Sequence, residues 1–393
     1  SVFAREMGQT RQAEDSAHLA IDLAHALGDL EAEAQGYLAL GWSHCPLDLM
    51  SWGIHAEMAN FGETKFNQAL ELARSAGRLA LQAESLLALG RISFSRLEFS
   101  AAQQAAETAL AISRQINSRR DEMCALNLLG LVHSAQAHPA VEVYFKQVWE
   151  LGRQIGDLKA QAAVQHNLAV VCYHRAEYLE AKAYIETELE ISRDILDQPA
   201  QTRALIYLSL IAHQLQDDQA ALEYARQAER LTQEHKLDPR PSVFLVLGHA
   251  LAGLGCLADA AETYHRTLQL PVSQRNTSQL LEARASLANV AMLQGKSSVA
   301  LEFVEKVLQE RDPEVFENTV EPFRVHLICY QVLATHHDPR ATAVLDYAYH
   351  HLLEQARIYQ HDPRLYHSFL EKVPDHYGLV LAWQASQAVP EKN

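Results

Sequence analysis

Histidine is the residue type in this sequence whose chemistry first suggests a function. The chain has 20 histidines. Those that follow residue 325 are His326, His336, His337, His350, His351, His361, His367 and His376. A zinc site on a helix typically uses two histidines at positions i and i+4, because that spacing puts both imidazoles on one face. Adjacent pairs such as His336-His337 diverge around a helix instead. The sequence therefore favours histidines at the surface or between helices, and a metal-dependent hydrolase at this end is kept as a remote alternative.

Motifs for covalent catalysis and for nucleotide binding are absent from the sequence. It has no Gly-x-Ser-x-Gly nucleophile elbow, no P-loop and no dinucleotide-binding glycine motif. The five cysteines form no Cys-x-x-Cys motif, and a sparse, odd-numbered set is typical of a reducing compartment. We therefore predict a cytoplasmic protein with no catalytic residues, no cofactor and no bound metal.

The charge balance bears on the kind of partner. The formal net charge is −16 at pH 7, and Arg119-Arg120 is the one cluster of basic residues. Nucleic acids and anionic membrane surfaces attract Lys/Arg surfaces, so both are disfavoured as partners. No run of apolar residues approaches the length of a transmembrane helix.

A leucine followed by a small residue recurs along most of the chain. The copies are Leu40-Gly41, Leu89-Gly90, Leu129-Gly130, Leu168-Ala169, Leu208-Ser209, Leu247-Gly248, Leu287-Ala288 and, more loosely, Ile328-Cys329. Their spacings are 49, 40, 39, 40, 39, 40 and 41 residues. A fixed period of this length is the signature of a repeat array, in which each unit is one supersecondary element.

A second series of large residues runs between these anchors, so each repeat has two helices. The series is Ile21, Leu70, Leu110, Trp149, Leu189, Leu268 and Leu308, and Glu229 breaks it once. We call the helix with the small residue helix A and the helix with the large residue helix B. The small residue lets helix B of the same pair approach closely, and each pair must stack on a neighbour to cover its apolar face. Gly28, Gly77 and Gly156 are predicted turns after B helices.

These features resemble the tetratricopeptide repeat (TPR) family in a variant of about 40 residues per repeat. The resemblance rests on the Leu-small pair of helix A and on the Ala-Leu pair of helix B, as in Ala69-Leu70. It implies an all-α, right-handed superhelical solenoid of antiparallel helix pairs. The solenoid is expected over residues 1–361, with about 8.5 helix pairs, and the proline that usually closes helix B is largely missing.

Three segments depart from the repeat. The first spacing predicts an insertion at residues 43–61, and Gly8 is a predicted turn between the end of an A helix and its B partner. Residues 362–393 are a predicted C-terminal capping segment. Its Ser368–His376 stretch resembles the closing part of bacterial multidomain regulators that join a STAND-type ATPase or cyclase to a TPR sensor. That resemblance implies a regulatory arm, with an effector domain upstream in the parent chain.

The candidate binding residues are those that face the concave groove in that family. They are Trp42, Arg91, Asn127, Leu131, His166, Tyr173, Arg203, His213, His249, Asn289 and Tyr330. Amide and guanidinium groups suit the backbone of an extended peptide, and aromatic rings add apolar area at low entropic cost. We predict a sensor module that binds a protein or peptide segment, or a small ligand. A structural oligomerisation scaffold is the alternative.

Overall fold

The computed structural model describes residues 2–44, 56–136, 138, 140–237, 240–271, 277–310, 315–316 and 319–388, with backbone alone at 2–11, 44, 56–58 and 388. Every regular element in these ranges is helical, which confirms the all-α prediction. Residues 45–55, the centre of the predicted insertion, lie outside the described residues. The insertion's flanks are helical, because one helix ends at His44 and the next begins at Ala56.

The α-helices follow one another at short intervals. They are α1 (Val2–Leu27), α2 (Leu30–His44), α3 (Ala56–Ser75), α4 (Leu79–Ser95), α5 (Phe99–Gln115), α6 (Arg119–Ala135), α7 (Val141–Ile155), α8 (Leu158–His174), α9 (Tyr178–Asp194), α10 (Gln198–Gln214), α11 (Asp218–Glu234), α12 (Pro241–Gly253), α13 (Leu257–Gln269), α14 (Thr277–Leu293), α15 (Ser297–Leu308), α16 (Pro322–Thr335), α17 (Arg340–Ala356), α18 (Pro363–Glu371) and α19 (Pro374–Ala388). The even-numbered helices from α2 to α16 carry the small-residue anchors and are the A helices. The odd-numbered helices from α1 to α17 are the B helices. The chain divides into two compact units, residues 1–167 and 168–393.

The turns between helices repeat as regularly as the helices. Residues with positive φ recur at steps of 19 or 20 residues, or of 39 or 40: Gly77, Leu97, Asn117, Gly156, Ala176, Leu196, Gln216, Lys236, Gly255 and Gly295. At the end of α4, the amide of Leu97 donates to the carbonyl of Phe94 at 3.0 Å, and the amide of Glu98 donates to that of Ser93 at 2.9 Å. A left-handed residue in this position satisfies the last carbonyls of the helix. The turns predicted at Gly28, Gly77 and Gly156 are confirmed by their φ angles of 69°, 65° and 71°.

In three of the helix pairs, the glycine of helix A makes room for a ring of helix B in the same pair. A Cβ placed on Gly130 would lie 2.5 Å from Cε1 of Phe145, and Phe145 is fully buried. Gly41 meets Phe66 in the same way, and Gly248 meets Tyr264. At these three anchors, the space left by the glycine of helix A is filled by an aromatic ring from helix B, as the close approach predicted for the pair requires.

Two departures from the pattern have physical explanations. Glu229 occupies a leucine slot on α11, and its Oε1 accepts a bond of 2.6 Å from Nη2 of Arg266 on α13. The guanidinium of Arg266 also lies over the ring of Phe244, so an ion pair and a cation–π contact replace an apolar contact there.

The turn predicted at Gly8 is wrong, because α1 runs from Val2 to Leu27 without a break. One glycine inside a helix costs only about 1 kcal/mol relative to alanine.

Candidate partner-binding walls on the A helices

The predicted groove residues fall into two sets, one in each compact unit. We call Trp42, Arg91, Asn127, Leu131 and His166 the first wall, and Tyr173, Arg203, His213, His249, Asn289 and Tyr330 the second wall. Each set comes from successive A helices of its own unit, as the 40-residue period requires. The two walls differ in what their side chains contact.

Trp42 and Arg91, on α2 and α4, contact each other in the first wall. The guanidinium carbon of Arg91 lies 5.9 Å from the centre of the Trp42 ring. The indole Nε1 of Trp42 donates to Oε1 of Glu84 at 3.4 Å. Both Trp42 and Arg91 are half-buried. A guanidinium is planar and presents its N–H groups as a fork that recognises carboxylates and carbonyls, and the indole beside it supplies a cation–π contact.

Asn127 on α6 is joined to a residue that the sequence analysis did not select. Nδ2 of Asn167 on α8 donates to Oδ1 of Asn127 at 3.1 Å, and both side chains are buried. His166 is also buried, and Leu131 is half-buried. Because an amide side chain has two donors and two acceptor sites, this bond uses only part of the capacity of each asparagine.

The second wall contains a buried ionic network. The phenol of Tyr173 donates to Oε1 of Glu321 at 2.9 Å, and Nε2 of Gln214 donates to the same oxygen. Nη1 of Arg324 donates to Oε2 of Glu321 at 3.1 Å. Burial opposes ionisation of Glu321, but Arg324, the nearby His213 and these hydrogen bonds lower its pKa overall. Burial and the neighbouring Glu321 raise the pKa of Tyr173 well above its usual value, so the phenol stays protonated.

His249 lies at the centre of a second buried cluster in the same wall. Its Nε2 is 3.1 Å from Oε1 of Glu282, and its Nδ1 is 2.7 Å from the phenol oxygen of Tyr264. Burial is the main cause of both pKa shifts, raising the pKa of Glu282 to about 7 and lowering that of His249 well below its usual value. Arg324 and the backbone of Val320 act in the opposite direction on Glu282, but burial outweighs them. A neutral carboxyl donating to a neutral imidazole fits these shifts, because a charged carboxylate would be costly to bury.

The remaining residues of the second wall have separate surroundings. Nδ1 of His213 lies 2.5 Å from Oδ1 of Asp218, and its ring stacks at 6.1 Å on that of His249. Nη2 of Arg203 forms an ion pair of 2.6 Å with the fully buried Glu188 on α9. Asn289 and Tyr330 are half-buried, and Tyr330 packs beside the apolar core around α14 to α17. The second wall thus brings Tyr173, His213 and His249 into one polar region and uses Arg203 to hold two helices together.

The C-terminal helices of the second unit return to an early part of that unit. Oγ of Ser368 on α18 donates to the carbonyl of Arg175 at 3.2 Å, and Arg364 pairs with Glu177 at 3.3 Å. Val373, between α18 and α19, packs against the apolar core built from α8 to α14. The predicted capping segment therefore reaches the turn between α8 and α9.

Phe369 and Asp375 place the same segment against α16. The ring of Phe369 meets that of Phe323 edge-on at 6.5 Å. Asp375 lies near Arg324, and burial raises its pKa to about 6. The segment thus packs on Phe323 and lies near the charge of Arg324, both on α16.

Three of the histidines that suggested a metal site contact backbone carbonyls or an aromatic ring instead. Nε2 of His336 lies 2.9 Å from the carbonyl oxygen of Ser297, and Nδ1 of His376 lies 2.7 Å from that of Phe369. His326 stacks on the ring of Phe316 at 5.2 Å. The described part of the chain brings no three His, Cys, Asp or Glu side chains together as metal ligands.

The site residues that sequence reasoning missed are Asn167, Gln214, Glu282, Glu321 and Arg324. Four of them lie on A helices, and Glu321 is the residue just before α16. Asn167, Glu282 and Arg324 are polar residues in helix stretches that are otherwise mostly apolar, and this is a signal that the sequence does contain. The partner of Glu282, His249, lies 33 residues away, so this pairing could not be predicted from spacing along a helix.

Within the part of the chain described by the structure, no helix combines the length and the apolar character needed to cross a bilayer. No protein-family model matches the sequence, and no curated protein matches it.

The fold defines a tetratricopeptide-type helix-pair protein, and comparison with solved structures supports that class. A STAND protein with a tetratricopeptide repeat sensor, PH0952 from Pyrococcus horikoshii, is similar with a TM-score of 0.57 and 14% identity over 89% of this chain and 54% of that one. A Rap protein complexed with Competence and Sporulation Factor has a TM-score of 0.54 and 14% identity, covering 90% and 99% of the two chains. NprR in complex with its cognate peptide NprX has a TM-score of 0.51 and 13% identity, covering 83% and 94%. Likeness at this level of identity establishes the fold.

Proposed function

We propose that this chain is a non-catalytic sensor module that binds a peptide or protein segment along the first wall. The observation that carries the proposal is the bond between Asn127 and Asn167, which sets two carboxamides from successive A helices side by side. An extended peptide backbone offers alternating N–H and C=O groups, and adjacent carboxamides can pair with both.

The other end of the first wall supplies a different kind of recognition. Arg91, lying over Trp42, can bind a carboxylate or a carbonyl of the ligand while the indole covers an apolar side chain. The second wall is the weaker candidate, because the polar groups of Tyr173, His213 and His249 already bond to other side chains of the same unit. A ligand there would have to replace these buried bonds.

The fold likeness supports the sensor role as an inference. NprR was solved with its cognate peptide and the Rap protein with Competence and Sporulation Factor, while PH0952 is described as a STAND protein with a tetratricopeptide repeat sensor. By analogy, we place this chain in the cytoplasm of a bacterium, as the C-terminal regulatory arm of a larger signalling protein. Ligand capture on the first wall would then change the arrangement of the helix pairs and act on an effector domain of the parent chain.

The test is to select short random peptides on the purified chain and to measure their affinities by isothermal titration calorimetry. The double variant Asn127→Ala/Asn167→Ala removes both partners of the carboxamide pair, so neither amide is left facing a missing partner. Asn289→Ala, the same change on α14 of the second unit, is the matched control. Arg203 is left unchanged because it stabilises the fold through Glu188.

Selected peptides are expected to lose about tenfold or more in affinity for the double variant and to bind the control as they bind the parent. Unchanged affinity for the double variant, or failure to select any peptide, would reject the first wall as a peptide site. Circular dichroism melting curves check that both variants remain folded.

A further inference from the structure

A small cavity in the second unit lies between the A helix α10 and the B helices α9 and α11 on either side of it. Its volume is about 180 Å³, which is room for a small organic molecule rather than for a single water. Leu189 and Leu205 line the cavity and are buried, and Leu231 beside them is half-buried. Part of the lining is therefore apolar and suits a compact carbon skeleton.

Two guanidinium groups, those of Arg193 on α9 and Arg230 on α11, line the same cavity. Among the residues that the structure describes, neither arginine side chain forms an ion pair or a hydrogen bond, although Glu234 also lines the cavity. Two arginines against one glutamate give the lining a formal charge of +1, in a chain whose net charge is −16. The cavity is therefore a local exception that attracts an anion.

The repeat explains why Arg193 lacks a partner. Arg114 has the same position on α5, four residues after the large residue, and its Nε donates to Oε1 of Glu122 on α6 at 2.9 Å. On α10, Gln201 occupies the position of that glutamate, and its Nε2 donates to the carbonyl of Ser192 at 3.0 Å. Arg193 thus has an uncharged amide nearby where the equivalent arginine has a carboxylate.

The second arginine of the cavity is peculiar to this repeat. Arg230 directly follows Glu229, which occupies the slot of the large residue. The two preceding B helices carry Glu150 and Glu190 at the position of Arg230, and the next B helix carries Gln269. A cation therefore stands where the neighbouring repeats have a carboxylate or an amide, and it gives this cavity its second positive charge.

The next helix pair shows how a similar place is filled from within the chain. Glu229 on α11 has the slot that Leu189 has on α9, and Phe244 on α12 has the position of Leu205 on α10. The guanidinium of Arg266 lies 4.2 Å from the centre of the Phe244 ring, and its Nη2 donates to Oε1 of Glu229 at 2.6 Å. A carboxylate, a guanidinium and an apolar side chain thus meet there. Between α9 and α11, the described residues supply the guanidiniums and the apolar side chains but no carboxylate bonded to them.

We propose that the cavity between α9, α10 and α11 binds a small organic carboxylate. The carboxylate accepts hydrogen bonds from Arg193 and Arg230, because the N–H fork of a guanidinium matches its two oxygens. The carbon skeleton of the ligand packs against the three leucines. This site is separate from peptide binding on the first wall and takes a ligand of a different class.

Benzoate is the probe, and benzamide is the matched compound without the charge. A saturation-transfer NMR titration measures the Kd of each for the full chain and for its Arg193→Gln, Arg230→Gln and Glu234→Gln variants. Arg226→Gln is the control, because Arg226 is an exposed arginine of α11 that does not line the cavity. Circular dichroism melting curves check that every variant is folded.

Benzoate is expected to bind with a Kd on the order of 1 mM, because a ligand of about nine heavy atoms buries little surface. Arg193→Gln and Arg230→Gln should each raise this Kd about tenfold or more, since each removes a charge-assisted hydrogen bond. Glu234→Gln should lower the Kd by removing a like charge, and Arg226→Gln should leave it unchanged. Benzamide should bind about tenfold more weakly than benzoate.

Absence of benzoate binding would overturn the proposal, as would a Kd that both arginine variants leave unchanged or that benzamide matches. Inorganic phosphate is titrated in the same way. If phosphate binds as tightly as benzoate and responds to the same variants, the cavity takes anions without regard to a carbon skeleton, and the organic carboxylate is overturned.

Discussion

Oε1 of Glu321 accepts a hydrogen bond of 2.9 Å from the phenol of Tyr173, although the two residues are 148 positions apart. Tyr173 is near the end of α8, and Glu321 is just before α16, so the bond joins the first and last A helices of the second unit. Since Glu321 also accepts from Arg324, one carboxylate neutralises a buried cation and ties distant helix pairs together.

Removing Glu321 should therefore destabilise the second unit more than removing Tyr173 does. Glu321→Ala leaves Arg324 buried without its carboxylate and should cost about 3–5 kcal/mol in free energy of unfolding. Tyr173→Phe removes one hydrogen bond and should cost about 1–2 kcal/mol. Urea denaturation measures both. In the Glu321→Ala background Tyr173→Phe should cost less, and equal costs in both backgrounds would contradict the coupling.

The contact between the C-terminal segment and the α8–α9 turn gives a second prediction. Phe369→Ala should destabilise the docked segment by about 3 kcal/mol, because it removes a buried ring that packs on Phe323. Hydrogen exchange of the amides of Arg175 and Glu177 should accelerate as α18 detaches. Leu381→Ala on α19, where the side chain is 46% exposed, is the control. Unchanged exchange at Arg175 and Glu177 would show that the turn does not depend on the segment.

Glu282 predicts a pH dependence with a definite sign. Its pKa is about 7 in the folded chain and near 4.5 when unfolded, so the folded form binds the proton more tightly. The stabilisation from Glu282 is present below pH 4.5 and is lost as the pH rises through about 7. Glu282→Gln keeps a neutral side chain at every pH. From pH 5 to pH 8 the free energy of unfolding of this variant should therefore fall by on the order of 2 kcal/mol less than that of the parent.

The measurement is chemical denaturation of both proteins across that pH range. The difference between the two curves isolates Glu282, because Asp375 titrates in both proteins and Arg324 stays charged in both. Parallel curves for the parent and for Glu282→Gln would mean that the carboxyl titrates below this range in the folded state.

The ring-into-glycine packing of the helix pairs can be tested at Gly130. Gly130→Ala improves helix propensity by about 1 kcal/mol, but its Cβ would collide with Phe145. We expect a net loss of about 1–2 kcal/mol. Gly130→Ala should cost less stability in a Phe145→Leu background than in the parent, because the smaller side chain leaves room for the new Cβ. An equal loss of stability in both backgrounds would rule out the contact.

The sequence by itself determined the helix pairs. The period of the Leu-small anchors, the turns at Gly77 and Gly156, and the packing of Gly130 on helix B all follow from local rules: the spacing along a helix, the backbone freedom of glycine and the volume of a side chain. These rules act within about 40 residues. Prediction therefore succeeded for the fold.

Tertiary structure decided which groups on those faces meet. Glu321 joins Tyr173, Asn167 joins Asn127, and Ser368 reaches Arg175 across 193 residues. Each such partnership depends on the cumulative rotation from one pair to the next, because a small change per repeat moves a distant side chain by many ångströms. The Leu-small anchors determine that the two helices of a pair pack together, but they do not determine the rotation between successive pairs. These long-range bonds therefore cannot be predicted from the anchors.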